Sequence, residues 1–347
     1  MKKRKSVLFS LASIALLFTM AACGSNTATP PTPSASSGSP ATEGNTTYTF
    51  KYAHVAQPTH IANKVAEKFK QELDTRSNGR MKLDIFPASQ LGSEKDMLQQ
   101  IQAGAIDFGS ITNAYLSTRS ESFNGWFMPF LFPDLESAVK AAKKDASLKM
   151  LQELDQQNLI GVGYVFSGNR HILMKTGAIS SPEQLKGKKI RIIGSPAIQD
   201  FWNETGAGAT PMPLPEVYTA LQTGVIDGID IDLDALVTQK YYEIAKDLTM
   251  SNHMTFPSVA IMSKAAISKL NADDQKIVMD AFNAAIDWGL EESIKVEKNN
   301  LEEVKNQGVT IVEFSDKEAF QPISEKIYKG YGEKNETIKS FISENKQ

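Results

Sequence analysis

The stretch SGNRHILMKTGAISSPEQLKGKKIRIIG, residues 167–194, carries two arginines, Arg170 and Arg191. A serine pair and a proline at 180–182 predict the start of a short helix between them, and residues 189–193 form a short β-run. Arg191 therefore lies on a predicted strand. A planar guanidinium held on a rigid strand makes two parallel hydrogen bonds with a carboxylate, so we expect Arg191 to bind an organic anion.

Residues 1–22 have the pattern of a signal peptide. Basic residues at 2–5 precede an apolar run at 6–20 that is too short to span a bilayer comfortably. Small residues then precede Cys23, the only cysteine of the chain, and this resembles the lipobox of bacterial lipoproteins. We expect Cys23 to be lipidated; the alternative is an ordinary secretory signal with an incidental cysteine. A single cysteine excludes a disulfide framework and a Cys-based metal site.

Residues 23–46 comprise the lipidated cysteine and a tether rich in Ser, Thr and Pro, which cannot bury a core and is expected to stay disordered.

Four of the 37 Lys and Arg lie in the signal, so the mature chain has 33 against 40 Asp and Glu, a net charge of −7. This acidic balance argues against nucleic acid as a partner. The remaining residues, about 300, suffice for two domains.

The N-terminal part of the mature chain alternates strands and helices. Strands are predicted at 48–53, 81–85 and 105–111, and Thr59 and a capping box at Ser93 and Asp96 begin the two helices between them. A β-α-β-α-β order with short loops predicts a largely parallel sheet with helices on both faces.

Two segments of the chain are similar in sequence. LQQIQAGAID at 98–107 and YTALQTGVID at 218–227 both predict a helix that ends at glycine and continues into a strand. Chance similarity of two αβ turns is one interpretation. The other is two lobes built on one plan, with a ligand in the crevice where the strand ends meet.

The apolar run FMPFLF at 127–132 predicts buried packing. A long helix is predicted from Asn271 to Asn306, with Gly289 as a candidate bend, and its length of about 50 Å would let it span both lobes. Elsewhere we predict helices at 135–158, 197–206, 216–223 and 317–346, and strands at 160–166 and 309–314.

Residues 225–233 predict a strand with Asp230, Asp232 and Asp234 on one face. Three carboxylates on one face could bind Ca²⁺ or sugar hydroxyls. An exposed acidic edge near a basic partner is an equally good interpretation.

Four motifs, in this order and at this spacing, resemble the solute-binding proteins of tripartite ATP-independent periplasmic (TRAP) transporters, the DctP family. The motifs are SNGR at 77–80 with FPASQLG at 86–92 and Glu94; FMPFLF at 127–132; GNR at 168–170 with LKGKKIR at 185–191; and TPMPLPEVYTALQTGVIDG at 210–228. The resemblance covers essentially everything from Tyr48 onward.

This resemblance implies an α/β, bilobal Venus-flytrap fold with a long helix that crosses both lobes. We expect lobe 1 to comprise residues 47–167 plus 256–300, and lobe 2 residues 168–255 plus 301–347. It also implies an extracytoplasmic receptor that delivers an organic acid to an ion-gradient-driven TRAP permease.

Carried over by motif, the resemblance implies that Arg191 forms a salt bridge with the substrate carboxylate. It also implies that Arg170 supports either the bound ligand or the closure of the cleft. Glu94 and the turn at 54–57 would supply polar contacts from lobe 1. Many members have Asn where this chain has Ile231, and an aromatic residue at Leu214. The predicted ligand-binding residues are Arg191, Arg170, Glu94, His54, Gln57, Leu214, Asp230 and Ile231. Sialic acid is a poor first guess, and dicarboxylates, uronates and oxo or hydroxy acids stay open.

Enzyme motifs are missing from the sequence, which has no GxSxG, HExxH or P-loop, and its four histidines show no metal-ligand spacing. We expect no enzyme activity, no cofactor and no metal, and a monomer anchored by lipid to the outer face of the cell membrane. An ABC-importer binding protein or an extracellular ligand sensor is the alternative function.

Overall fold

The computed structural model describes residues 46–314 and 316–346. Its strands are β1 (Tyr48–Ala53), β2 (Met81–Phe86), β3 (Phe108–Thr112), β4 (Leu159–Met174), β5 (Lys189–Ile192), β6 (Gly208–Pro211), β7 (Gly228–Asp232), β8 (Asp247–Ser263) and β9 (Thr310–Glu313). Its α-helices are α1 (Ile61–Arg76), α2 (Glu94–Gln102), α3 (Asn113–Ser117), α4 (Leu135–Ala141), α5 (Asp145–Glu153), α6 (Pro196–Glu204), α7 (Val217–Thr223), α8 (Leu233–Thr238), α9 (Lys264–Ile267), α10 (Ala272–Asn306), α11 (Gln321–Gly332) and α12 (Glu336–Asn345). The predicted signal peptide, Cys23 and nearly all of the tether lie outside the described residues.

The described strands form one nine-stranded sheet in the order β2-β1-β3-β8-β4-β7-β5-β6, with β9 paired to β8. The long strands β4 and β8 lie at the centre of the sheet, between β3 on one side and β7 on the other. We call β1–β3 with the helices between them the first half. The second half is β5–β7 with the helices between them and α8, which follows β7. Helices cover the sheet, and the result is an α/β fold with two lobes.

The sheet is mixed, so the prediction of a largely parallel sheet holds only within each half. Strand β1 pairs in parallel with β2 and β3, and β5 with β6 and β7. The prediction is wrong at the centre, where β4 pairs antiparallel with β7 and β8, and β3 with β8. The order β-α-β at the N-terminus could not reveal these long antiparallel strands.

Strand β4 continues well beyond the predicted 160–166 and ends at Met174, so Arg170 lies on a strand. The register of β4 against β8 shifts between Phe166 and Gly168, and Gly168 has φ +136°, which only glycine adopts without strain. The polar sequence SGNR resembles a turn, but its residues are buried. A strand buried on both faces lacks the alternation that reveals strands in sequence.

Helix α10 confirms the predicted long helix, with 35 residues and Asn271 as its N-cap. The Asn271 Oδ1 accepts from the Asp274 amide at 2.8 Å. The helix packs against α1 in the first half and α8 in the second. At Gly289 a Cβ atom would lie 2.6 Å from Cγ2 of Val65, so this glycine permits the close approach of α10 to α1.

Two predicted helices are each broken into two. The segment 135–158 contains α4 and α5, and 317–346 contains α11 and α12. Asn335 starts α12 because its Oδ1 accepts from the Ile338 amide at 3.1 Å. The α1 cap is His60 rather than Thr59, since the His60 Nδ1 accepts from the Ala62 amide.

The apolar run at 127–132 is confirmed as packing. Phe127, Met128, Leu131 and Phe132 are buried in the main hydrophobic core. A second core cluster lies in the second half around Ile229. Across the described ranges, no helix combines the length and the apolar character that crossing a membrane requires.

Candidate ligand-binding site

A cavity of about 680 Å³ lies between the two halves of the sheet. From the first half it is lined by residues that follow β1, by the start of α2 and by the end of β3. From the second half it is lined by the ends of β5 and β7 and by the proline-rich segment after β6. Carboxyl ends of parallel strands meet at one edge, and this is where α/β folds bind ligands.

Arg191 projects from β5 and is 1% exposed. Its Nε and Nη2 donate to the Met212 carbonyl oxygen at 3.0 and 2.7 Å, which fixes the plane of the guanidinium. Within the described residues no carboxylate forms an ion pair with it. A guanidinium has five donors, so part of its fork is left for a ligand in the cavity that it lines.

Burial lowers the pKa of Arg191 to about 10, and the side chain is therefore still a cation at pH 7. A buried cation without a counter-ion is costly, because no carboxylate among the described residues offsets its lost hydration. An anion that entered the cavity would supply the missing charge. The geometry accordingly fits the carboxylate contact predicted for Arg191.

Arg170 also lines the cavity but already has its counter-ions. Its Nε donates to Asp230 Oδ1 at 2.6 Å and its Nη1 to Asp232 Oδ2 at 3.0 Å, while its Nη2 donates to the Asp230 carbonyl oxygen. The guanidinium carbon lies 4.4 Å from the centre of the Phe256 ring. Arg170 is thus held rigidly by protein groups, as a supporting residue would be.

Asp230 was predicted to contact ligand, but the structure places it behind Arg170 and outside the cavity lining. It is 0% exposed, and its Oδ2 accepts from Trp202 Nε1 at 2.9 Å. His253 Nε2 lies 3.4 Å from its Oδ1. Burial by itself would raise the pKa of Asp230, but the positive Arg170 holds that pKa well below its ordinary value. Its role here is to hold Arg170.

The three aspartates do not form an exposed acidic edge, because Asp230, Asp232 and Asp234 are all buried. Asp232 caps α8 by accepting from the Ala235 amide at 2.8 Å. Asp234 lies in α8, beyond the end of β7, so the predicted strand was too long. The described part of the chain contains no cluster of three or more His, Cys, Asp or Glu side chains suited to a metal ion.

Glu94 faces the cavity from the first half, as the first residue of α2. Its Oε1 accepts from the Thr112 amide at 2.7 Å and its Oε2 from the Thr112 hydroxyl at 3.0 Å. Burial raises the pKa of Glu94 to about 7. At neutral pH this group therefore divides between an acceptor and a hydroxyl donor.

His54 lines the same wall, and its Nε2 lies 3.1 Å from Asn63 Oδ1. Burial lowers the pKa of His54 to about 4, so its ring is neutral at pH 7. Gln57 was predicted at the site but does not line the cavity; its amide instead donates to Gln239 Oε1 at 3.4 Å.

Leu214 and Ile231 both line the cavity, with Met212 and Phe256. These apolar side chains line the cavity together with Arg170 and Arg191, and they offer a ligand no hydrogen-bond donor. They shape the space that the body of the ligand would occupy.

Some contributors to the site were not predicted from sequence. Thr112, which binds Glu94, ends β3, and the rule that ligands meet the carboxyl ends of strands would have indicated it. The Met212 carbonyl, Trp202 and His253 gave no sequence signal, because they act through a backbone oxygen or through residues distant in the chain.

Comparisons with known proteins identify the family of this chain. The model of "Bacterial extracellular solute-binding protein, family 7" (DctP) matches residues 52–335. The C4-dicarboxylate-binding protein DctB of Bacillus subtilis is 26% identical over 78% of this chain and 77% of its own length.

Two solved structures are also similar. A TRAP periplasmic solute-binding protein from Xanthobacter autotrophicus, with bound β-D-galacturonate, is 29% identical, covers 85% of this chain and 98% of its own, and has a TM-score of 0.79. The sugar acid binding protein DctPAm from Advenella mimigardefordensis, in complex with galactonate, is 25% identical, covers 86% and 97%, and has a TM-score of 0.81. The chain therefore belongs to family 7 of the bacterial extracellular solute-binding proteins, the DctP family, and is a solute-binding protein of the TRAP type.

Proposed function

We propose that this chain is an extracytoplasmic receptor that captures a small organic acid between its lobes and that Arg191 binds the acid's carboxylate. The observation that carries this proposal is a buried cation without an ion-pair partner in the described residues, facing a cavity. Arg170 is the second arginine of the site, and it supports the wall because Asp230 and Asp232 already neutralise it.

We propose further that the ligand carries one carboxylate and several hydroxyl groups, as a sugar acid does. The wall opposite Arg191 presents Glu94 and the neutral His54, which suit hydroxyls. A second carboxylate there would meet the partly ionised Glu94, and like charges repel. Galacturonate and galactonate, bound by two similar proteins, are acids of this kind. A dicarboxylate is the second candidate, and the name of the Bacillus subtilis relative favours it.

The further parts of the proposal concern the whole receptor. Lobe 1 is residues 47–167 plus 256–300 and lobe 2 is 168–255 plus 301–347; the continuous β4 and β8 connect them. We propose that the monomer is tethered through lipidated Cys23 on the outer face of the cell membrane. It would release its ligand unchanged to a TRAP permease, without enzyme activity or cofactor. An ABC importer or a sensor partner is the alternative, and co-purification of the permease subunits would decide.

The test is titration calorimetry with D-galacturonate, D-galactonate and succinate, on the wild type and on Arg191→Met. We expect a sugar acid to bind the wild type and Arg191→Met to weaken it about 30-fold or more, because a buried charge pair loses one partner. Lys189→Met is the matched control, since it removes a cation from the same strand outside the cavity. Equal affinity in wild type and Arg191→Met would refute the carboxylate assignment, and preference for succinate would refute the sugar-acid class.

A further inference from the structure

A buried carboxylate joins the two halves of the sheet beside the cavity. Asp234 belongs to α8 of the second half, and its Oδ2 accepts from the backbone amide of Ile61, the first residue of α1 in the first half, at 2.7 Å. The His60 Nε2 lies 3.4 Å from the same oxygen. Asp234 is 2% exposed, so solvent does not compete for this contact.

The orientation of His60 is fixed by its other ring nitrogen. Nδ1 accepts from the Ala62 amide at 3.1 Å and caps α1, so the ring proton of neutral His60 lies on Nε2. That nitrogen faces Asp234. The start of α1 therefore presents an amide and an imidazole N–H to one carboxylate oxygen.

Asp234 is also held by the long helix. Its Oδ1 accepts from the side-chain amide of Asn300 in α10 at 3.2 Å, which leaves Oδ2 for α1. The 16-residue α1 places its positive end at Ile61, where a negative carboxylate is favourable. Both oxygens of Asp234 are thus used, Oδ2 by α1 of the first half and Oδ1 by α10, which packs on both halves.

This contact lies directly beside the cavity wall. His60 and Ala62 line the cavity from α1, and Ala235, next to Asp234, lines it from α8. A movement that separated the halves to admit or release a ligand would pull the Ile61 amide away from Asp234. The neighbouring Gln57–Gln239 contact would be lost as well, but it joins neutral groups at 3.4 Å.

We propose that Asp234 is a closure latch: a positioning residue that holds the first half against the second through Ile61 and His60 and so slows release of the ligand. The proposal rests on the proposed receptor function, because closure matters only if a ligand is enclosed. Asp234 itself does not line the cavity. It acts through the fraction of protein that is closed.

One experiment measures closure directly and without ligand. Spin labels at Lys70→Cys on α1 and Gln222→Cys on α7, both exposed positions, report the separation of the halves in the full chain carrying Cys23→Ser, since Cys23 is the only natural cysteine. We expect Asp234→Ala to shift the distance distribution toward longer separations, with Asp234→Asn intermediate because one acceptor oxygen remains. Asp134→Ala is the control, because Asp134 caps α4 without crossing the halves.

A second measurement follows release of D-galacturonate by stopped flow. Loss of a hydrogen bond to a charged group predicts a rate constant for dissociation about 10- to 100-fold higher in Asp234→Ala. If the distance distributions of Asp234→Ala match those of the wild type, both without and with galacturonate, the latch is overturned, whatever the affinity of the variant. If the wild type binds neither D-galacturonate nor D-galactonate, the sugar-acid proposal fails, and the ligand-free distances still decide the latch. Should Asp234→Ala not fold, Asp234→Asn is judged by the same criteria.

Discussion

Arg170 and Arg191 are both buried beside one cavity, but they differ in what surrounds them. Arg170 has two aspartates as counter-ions, whereas Arg191 contacts a backbone carbonyl and carries an uncompensated charge among the described residues. The same side chain therefore serves two purposes. Arg170 belongs to the folded framework, and Arg191 is available to a ligand.

The first prediction concerns Arg170→Met. It would leave Asp230 and Asp232 buried without their cation, and removal of one partner from a buried ion pair costs about 3–5 kcal/mol of folding free energy. Urea unfolding measures this loss. Arg191→Met is the comparison. It strands no carboxylate and removes only the donors to the Met212 carbonyl oxygen, so it should lower the free energy of unfolding of the ligand-free protein by less than Arg170→Met does. Equal losses in the two variants would contradict the assigned difference.

The second prediction concerns Glu94 and pH. Its pKa in the folded protein is about 7, above the ordinary 4.5, so the folded state holds the proton more tightly than the unfolded state. The contribution of Glu94 to stability is therefore full below pH 4.5 and is lost as the pH rises through about 7. We expect urea unfolding to show the wild type losing stability relative to Glu94→Gln over this range.

The matched control is Glu336→Gln, since Glu336 is likewise the first residue of a helix but is exposed. The difference in free energy of unfolding between Glu336→Gln and the wild type should change less with pH than the difference for Glu94→Gln. A difference between wild type and Glu94→Gln that stays constant from pH 4.5 to 8 would show that burial does not retain the Glu94 proton.

Among the elements, α10 connects the two halves and depends on close packing at one glycine. Helices approach closely where a residue has no side chain, and Gly289 faces Val65 of α1 in this way. The long helix was predictable because a capping asparagine, Asn271, and a glycine, Gly308, mark its two ends in the sequence. Its closest contact depends on α1, which is distant in the sequence.

The third prediction tests that contact by mutation. Gly289→Ala gains helix propensity of about 1 kcal/mol, but the added Cβ meets Val65 and overpacking costs about 1–3 kcal/mol, so we expect net destabilisation in urea unfolding. Combining it with Val65→Ala should cost less than the sum of the single changes, by about 0.5 kcal/mol or more. Gly330→Ala, whose Cβ would meet nothing within 4 Å, should stabilise instead. Additive effects at 289 and 65 would exclude the close contact.

At the scale of the whole molecule, the chain combines a ligand-binding cavity with a lipid attachment that is predicted at Cys23. The fourth prediction is that Cys23→Ser moves the protein from the membrane fraction to the soluble extracytoplasmic fraction, because the lipid has no attachment site. Cell fractionation and immunoblotting measure this. Met20 stands where the lipobox most often has leucine, so Met20→Leu brings the segment closer to that pattern and should stay in the membrane fraction. Membrane association of Cys23→Ser would exclude the lipid anchor.

Local sequence determined the elements whose signals lie within a few residues. The strands β1 and β2, the capping box of α2 and the long α10 were predictable because caps and periodicity are local interactions. The position of Arg191 on a short strand was predictable for the same reason. The motifs in their order then indicated the family and the bilobal fold.

Only the tertiary structure decided how β4 and β8 run through the sheet, and which arginine is neutralised. Asp230 and Asp232 are some 60 positions from Arg170, and they meet it only because β7 pairs with β4. From sequence, the aspartates looked like a candidate ligand or cation site. Burial makes the difference, because a carboxylate removed from water must have a partner, and the fold supplies Arg170. Arg191 receives no such partner within the described residues, and this leaves it free for the ligand.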